Sequence, residues 1–432
     1  MCGLAEALVA GPWQVEDLVD RGGRALGRRG RWLRPLARRL VAAFGARPTA
    51  ARVAAFLRDD DGFRLACGEQ VLTLAVRPWP APAMWPAPGA PTSWPVPPLS
   101  TPADLARRLG LEPGELDWMA DRQGRGRTTA AGPRHHYRYR WQAKRNGAAR
   151  LIEAPKPRLR GIQRRLLDEV IARVPPHEAA HGFRAGRSVR TFVAPHVGRA
   201  VVLRMDLRDF FPSIPAARVA ALFRTAGYPE AVAGVLAGLC TNRVPAAVWD
   251  DPAAPTPGPD AGRSRRLYRQ PHLPQGAPSS PALANLCAYR LDGRLATLAE
   301  AAGARYTRYA DDLVFSGGPD LARAIRRFHV HACAVALEEG FVVHTRKTRV
   351  MRQGVRQRAA GVVLNQRPNV PRADFDRLKA ILHNCLAHGP HGQDRVGHAD
   401  FHAHLAGRIA HVATLHPERG RRLRALFDRI AW

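Results

Sequence analysis

Arg305-Tyr306-Thr307-Arg308-Tyr309-Ala310-Asp311-Asp312-Leu313-Val314-Phe315-Ser316 sets two adjacent carboxylates between two runs of strand-forming residues. Residues 306–309 read as one strand and 313–315 as the next. Only a tight turn fits between them, so Ala310-Asp311-Asp312 is expected at a hairpin tip. Side chains alternate faces along a strand, and a turn is what lets neighbouring acids approach one cleft. Two such acids repel each other at neutral pH. A divalent cation removes the conflict, and Mg²⁺ favours oxygen ligands from carboxylates and phosphates. A two-metal site needs a further acid from elsewhere in the chain. The run Val201-Val202-Leu203-Arg204-Met205-Asp206-Leu207-Arg208-Asp209-Phe210-Phe211 supplies it, a hydrophobic strand ending in Asp206 and followed by an aromatic pair.

Each stretch alone has an ordinary explanation. Asp-Asp is common in turns, and Asp after a strand is a common helix N-cap. A third stretch, Leu273-Pro274-Gln275-Gly276, lies between them and changes the balance. In order and spacing the three resemble the motifs of reverse transcriptases. The resemblance implies an α+β right-hand polymerase: fingers, a palm with an antiparallel sheet, a helical thumb, and here a helical N-terminal extension. It implies that Asp206, Asp311 and Asp312 hold two Mg²⁺, with Mn²⁺ able to substitute. One ion activates the primer hydroxyl and the other stabilises the leaving group. Phe211, five positions after Asp206, matches the ring that lies under the sugar and excludes a 2′-OH. Gln275 and Gly276 match the loop that approaches the nascent pair, with Asn285 on the helix behind it facing nucleotide or template. Lys347 matches a lysine that neutralises or protonates pyrophosphate.

Composition agrees with a polyanionic partner. The chain has 432 residues, 46% of them hydrophobic, and a formal net charge of +31. Such an excess favours nucleic acid, through counterion release. The six cysteines, at 2, 67, 240, 287, 333 and 385, form no Cys-x-x-Cys pair, which argues against a zinc knuckle or a disulfide framework. No apolar run is long enough to span a membrane, and the N-terminus lacks a secretory signal, so the cytoplasm is the expected compartment.

Along the chain, residues 1–98 read as a basic helical extension with a Pro/Trp-rich linker. Trp32, Leu33, Leu36, Leu40 and Val41 recur at helical spacing in the extension, and Trp79, Trp85 and Trp94 punctuate the linker. Residues 99–123 form a helical lead-in: Thr101 caps, Pro102 opens the first turn, and Leu105, Leu109, Leu111, Leu116 and Trp118 give two short helices. Residues 124–365 are assigned to fingers and palm. There Arg150, with Lys144 nearby, is the candidate triphosphate contact, because a guanidinium binds phosphate oxygens bidentately. Residues 163–174 read as an amphipathic helix, 246–270 as a surface insertion and 321–337 as a helix. Residues 366–432 form a thumb of three helices, at 375–386, 401–415 and 421–430. His402 and His404 lie there, with spacing that matches no standard zinc site.

The particular likeness is to retron-type enzymes, strongest between residues 150 and 365. It implies RNA-directed DNA synthesis on a structured noncoding RNA from the enzyme's own locus. The partners implied are that template/primer RNA, dNTPs, the RNA–DNA hybrid product and an effector protein. Priming from a 2′-OH and a part in anti-phage defence follow from the same likeness. Two motifs depart from it. Phe192-Val193-Ala194-Pro195-His196 keeps the histidine of Asn-Ala-x-x-His, and Ala359-Ala360-Gly361 replaces Val-Thr-Gly ahead of Asn365. The alternatives are a group II intron-like or abortive-infection clade, and a non-catalytic RNA-binding protein on the same fold. The three intact acids speak against the last.

Overall fold

The computed structural model describes residues 1–69, 72–75, 84, 94–122, 124, 135–143, 149–252, 254 and 261–432. Trp79, Trp85 and Lys144 lie outside the described residues, as does most of the Pro-rich run. The chain divides into two compact units, one of Met1–Arg125 with Ala217–Leu239 and one of Gly126–Ala216 with Cys240–Trp432.

In the first unit, helices Cys2–Leu8, Val15–Leu26, Leu33–Phe44, Ala50–Asp59 and Asp61–Glu69 follow one another. Leu33, Leu36 and Leu40 fall on one face and are buried with Leu8, Leu18 and Leu57, while Trp32 and Val41 pack at the edge of that core. The lead-in folds as its caps dictate. Thr101 and Asp104 form a reciprocal capping box, Pro102 opens helix Pro102–Leu109, and a second helix spans Pro113–Ala120. Leu105, Leu109, Leu111 and Leu116 are buried, and Trp118 is half exposed. The segment Ala217–Leu239 closes on this pair: a side chain at Gly238 would run into the Ala120 carbonyl, and the Tyr228 hydroxyl donates to the Pro97 carbonyl at 3.0 Å.

Among its described residues, the second unit carries three antiparallel sheets. Strands β1 (Tyr137–Ala143) and β2 (Ala149–Pro155) pair alone. The central sheet joins β3 (Val201–Asp206), β4 (Arg305–Tyr309), β5 (Asp312–Gly317) and β6 (Arg349–Arg352) in the order β4-β5-β3-β6. Short strands β7 (Arg358–Ala359) and β8 (Val362–Val363) make the third. Strand β3 is central and reads as a near-continuous hydrophobic run because both its faces are covered. On one face, Phe315 stacks on Tyr306 at 4.8 Å and meets Phe328 of helix Pro319–Glu338 at 5.1 Å. On the other, Val202 and Val314 join a core with Leu378, Leu382, Leu405 and Phe427 from helices Arg372–His388, Phe401–Leu415 and Pro417–Phe427.

Several boundaries differ from the sequence reading. Asp312 pairs in register with Tyr309 and with Asp206, so it belongs to β5, and the turn is Ala310-Asp311 alone. The helix expected at 163–174 is Pro157–Glu169, opened by proline at its first turn, with a 3₁₀ turn at Ile171–Arg173. The stretch 246–270 is more than a surface insertion. Trp249 and Tyr268 pack in a chain of rings with Trp141, and Tyr268 shares a small core with Leu151 of β2. None of the described helices is long and apolar enough to cross a membrane.

Arg308 of β4 is completely buried. Its guanidinium donates to both carboxylate oxygens of Asp292, at 2.7 and 2.6 Å, on helix Tyr289–Ala301, and that carboxylate is also completely buried. Removing one partner of such a pair leaves the other charged in the core. Asp292→Ala is expected to cost roughly 3–5 kcal/mol of unfolding free energy, and Asp292→Leu combined with Arg308→Met to recover most of it. Urea unfolding followed by circular dichroism measures both.

Candidate active site

The end of β3 is fixed from both sides. Leu207 N donates to Asp311 O at 2.8 Å, and His344 N donates to Asp206 O at 2.7 Å. Asp206 is thereby held against Asp312, its register partner on β5, and is only 6% exposed. Asp311 sits in the adjoining turn, which is two residues long because Ala310 adopts φ +55°, a conformation costly for a residue with a Cβ. The turn is braced from outside. Arg308 Nη1 donates to Ala310 O at 3.1 Å, and Gly182 lies so close that a Cβ there would stand 2.8 Å from Ala310 N.

Three carboxylates therefore meet in a confined space. Burial, then the charges of Asp206 and Asp312, push the Asp311 carboxyl up to about 6. Burial also raises Asp312, against the pull of Arg204. Two side-chain cations answer the charge. Lys347 Nζ donates to both Asp206 oxygens, at 2.8 and 3.1 Å. Arg204 donates to Asp312 Oδ1 through Nε at 3.0 Å and through Nη2 at 2.8 Å, and to Oδ2 through Nη2 at 3.1 Å. Among the described residues no three Asp, Glu, His or Cys side chains form a ready-made group for an ion. The donor set still fits a hard divalent cation: oxygens only, from two strands and their turn, with three acids against two side-chain cations.

Of the other expected site residues, Phe211 is tied to the hairpin through Phe183, while Gln275, Gly276 and Arg150 lie at β2. Of the aromatic pair, Phe210 is buried against Phe341 at 5.6 Å, whereas Phe211 is half-buried. The ring of Phe183, at φ +57° and 49% exposed, lies 6.3 Å from Phe211 and from Tyr309. Gln275 and Gly276 dock on β2. Glu153 N donates to Gln275 O at 2.9 Å, and Gly276 at φ +135° has no room for a Cβ, which would stand 2.9 Å from Glu153 O. Arg150 is exposed on the same strand.

Asn285 is a correction. It is 2% exposed, donating to Gly182 O at 2.7 Å and accepting from Arg308 Nη1 at 3.0 Å, so it braces the turn instead of facing a nucleotide. His196 is fully buried between Ser316 Oγ at 2.7 Å and Thr307 Oγ1 at 2.8 Å, and burial takes its pKa down to about 3. It is a neutral pin across β4 and β5. His404 stacks on His398 at 3.8 Å, while His402 lies against Trp432 at 4.6 Å. The buried pair Glu153 and His272, with half-buried Asn242, was not anticipated. Asn242 Nδ2 reaches Glu153 at 2.6 Å and His272 Nε2 reaches it at 3.1 Å; burial opposes charge on His272, but Glu153 and the Gln270 carbonyl together raise its pKa. The available signal was parity: Glu153 falls on the same alternate positions of β2 as the buried Leu151.

Residues 142–369 match the family model described as reverse transcriptase (RNA-dependent DNA polymerase). The chain is 41% identical over 329 residues to the Retron Mx65 reverse transcriptase of Myxococcus xanthus, covering 75% of this chain and 70% of that one. It is 37% identical over 332 residues to the Retron Mx162 reverse transcriptase of the same organism, covering 73% and 64%. It is 26% identical over 275 residues to the Retron Ec86 reverse transcriptase of Escherichia coli, covering 63% and 74%. This chain belongs to the retron-type reverse transcriptases. Its central sheet is the palm of a right-hand polymerase, and its activity is RNA-directed DNA synthesis.

In this reverse transcriptase the raised Asp311 carboxyl has a consequence for stability. An unfolded aspartate titrates near about 3.9, so as pH rises the unfolded chain loses this proton first. Stability of the metal-free protein then falls between about pH 4 and pH 6, and the penalty persists above that window. Asp311→Asn removes it. In EDTA the variant is expected to be more stable than the parent by roughly 2–3 kcal/mol at about pH 8 and nearly equal to it at about pH 4. Urea titrations at the two pH values measure the difference.

Proposed function

We propose that this enzyme copies part of a structured noncoding RNA from its own locus into single-stranded DNA, starting from a 2′-OH of that RNA. The observation that carries the reading is the facing pair Asp206 and Asp312 with Asp311 in the adjoining turn, in a chain whose relatives are retron enzymes. In this reading the three acids hold two Mg²⁺, with Mn²⁺ as substitute. When bound, the ions lower the pKa of the attacking hydroxyl and offset charge on the departing pyrophosphate. The chain's own residues do the placing. Lys347, 47% exposed on a flexible stem, can swing from Asp206 to the pyrophosphate. Exposed Arg150 meets the triphosphate, and the docked Gln275-Gly276 loop lies along the nascent pair.

Fingers and palm then comprise residues 124–365, the thumb 366–432, and residues 1–98 an extension preceding the lead-in at 99–123. The net charge of +31 supplies affinity for the RNA and the hybrid. A cytoplasmic setting, an effector partner and a role against phage belong to the same proposal and rest on the kinship with retron enzymes.

The test expresses the protein with its neighbouring noncoding RNA and isolates small DNA. After RNase, a mobility shift on treatment with a debranching enzyme is expected; a free 5′ end or an ordinary 3′,5′ junction would favour a group II intron-like or abortive-infection clade. Asp311→Ala is expected to yield no DNA while holding the RNA in a gel-shift assay, because the acids serve chemistry and the basic surface serves binding.

Phe211 tests the sugar pocket. Its ring is the more open of the pair, and a smaller side chain would clear space beside the ribose. Phe211→Val is expected to raise ribonucleotide incorporation by at least about tenfold relative to dNTP, the effect of roughly 1.4 kcal/mol in the transition state. Primer extension with each nucleotide class reads the ratio. An unchanged ratio would make Phe211 a packing residue.

A further inference from the structure

Arg204 interrupts an otherwise apolar run in β3, Val201-Val202-Leu203-Arg204-Met205, two positions before Asp206. That spacing sends both side chains to one face of the sheet. Asp312 lies directly opposite Asp206 on β5, and Arg204 is opposite Val314, so Arg204 reaches Asp312 along the diagonal. Its guanidinium engages both oxygens of that carboxylate through the three hydrogen bonds given above. The three acids are thus unequal. Asp311 makes no ion pair among the described residues. Asp206 is paired with a half-exposed lysine on a flexible stem. Asp312 is gripped by a planar fork whose backbone is hydrogen-bonded to β5 on one side and β6 on the other. An arginine stays charged at any working pH, and its fork loses less freedom on binding than a lysine.

We propose that Arg204 is a positioning residue that acts as a built-in counter-cation for Asp312, so that Asp206 and Asp311 are the primary cation ligands and Asp312 joins them only by giving up Arg204. The inference rests on the reading of the acids as cation ligands and assigns them different weights. Its function is to set the strength of the site. Three free carboxylates would grip a divalent ion tightly; with one neutralised in advance, cation binding is weaker and depends more on phosphate oxygens brought by the nucleotide. Cation occupancy is thereby tied to substrate occupancy.

The experiment measures Mn²⁺ binding to the full-length protein without nucleotide, from the electron paramagnetic resonance of free Mn²⁺. Arg204→Gln is expected to bind Mn²⁺ roughly tenfold more tightly than the parent, while Arg204→Lys stays closer to it. Asp312→Asn alone is expected to weaken binding by less than about threefold, yet to abolish the gain when added to Arg204→Gln, a coupling that a purely structural arginine would not produce. The Mg²⁺ concentration giving half-maximal primer extension should fall in Arg204→Gln. Unchanged or weaker Mn²⁺ binding in a folded Arg204→Gln protein overturns the proposal. So does an Asp312→Asn loss as large as that of Asp311→Asn, a comparison that needs no change at Arg204. A parent protein that binds Mn²⁺ no better than Asp206→Asn/Asp311→Asn sinks the cation reading itself, and this inference with it.

Discussion

The buried ion pair of Arg308 and Asp292 is the constraint on which the catalytic hairpin depends. Taking both charges out of water is expensive, and the attraction between them compensates only when every donor finds an acceptor. Here they do. Nε and Nη2 go to Asp292, and Nη1 is shared between Asn285 Oδ1 and Ala310 O. The backbone of Arg308 adds a further tie, donating to Ala179 O at 2.7 Å and accepting from His181 N at 2.8 Å. One residue thus links a helix, a loop and the turn that carries Asp311. The gain is in register more than in stability. A slip of β4 by one residue would reverse the faces of its side chains, removing Arg308 from Asp292 and burying another residue in its place.

That rigidity matters because the turn above it is strained and crowded. Ala310 is held at positive φ, Gly182 abuts its nitrogen, and Asp311 is desolvated beside two other acids. Left alone, such a group of carboxylates would relax by moving apart or taking up protons. Fixed pairing of β3 with β5 prevents the first response. The placement of cations limits the second unevenly: Lys347 serves Asp206, Arg204 opposes the rise that burial gives Asp312, and Asp311, with no ion pair among the described residues, is pushed up to about 6. A chain of net charge +31 thus concentrates its functional acids where its many arginines do not all reach.

The legible parts of the fold and of the site were those written in local pattern. Strand, turn and strand around Asp311, the strand ending in Asp206, the capped helix at Pro102 and the glycine at 276 each follow from neighbours in sequence. What escaped depends on partners far along the chain. Asn285 sits in the helix behind the Gln275 loop, and only the fold reveals that it bridges Arg308 and Gly182. Glu153, with partners 89 and 119 positions away, could be flagged by strand parity but not matched to Asn242 and His272. The stretch 246–270 has the composition of a surface loop, yet Trp249 and Tyr268 find a core because Trp141 and Leu151 present one. Trp118 lies in the helix its spacing predicts yet is half exposed, since helical spacing gives a face and not whether that face is covered.

The two motifs that depart from the retron pattern can be explained on the same terms. In Phe192-Val193-Ala194-Pro195-His196 the retained histidine makes two buried hydrogen bonds, to β4 and β5, that no apolar side chain could replace. Phe192 and Val193, which stand in place of Asn-Ala, are fully buried in the core shared with the C-terminal helices, where apolar contact suffices. In the second motif, Ala360 and Gly361 both take positive φ in the two-residue turn between β7 and β8, at 45° and 81°. That primed turn suits the twist of a tight hairpin and places strain on Ala360 but none on Gly361. Asn365 stays because its amide ties three backbone groups, accepting from Gln357 N and donating to Gln353 O and Val355 O. The residues this chain keeps in these motifs are those whose polar atoms or backbone freedom serve a defined contact or turn, and Phe192 and Val193 are changed where apolar contact is enough. Divergence of this kind alters packing beneath the palm while leaving the catalytic hairpin in place.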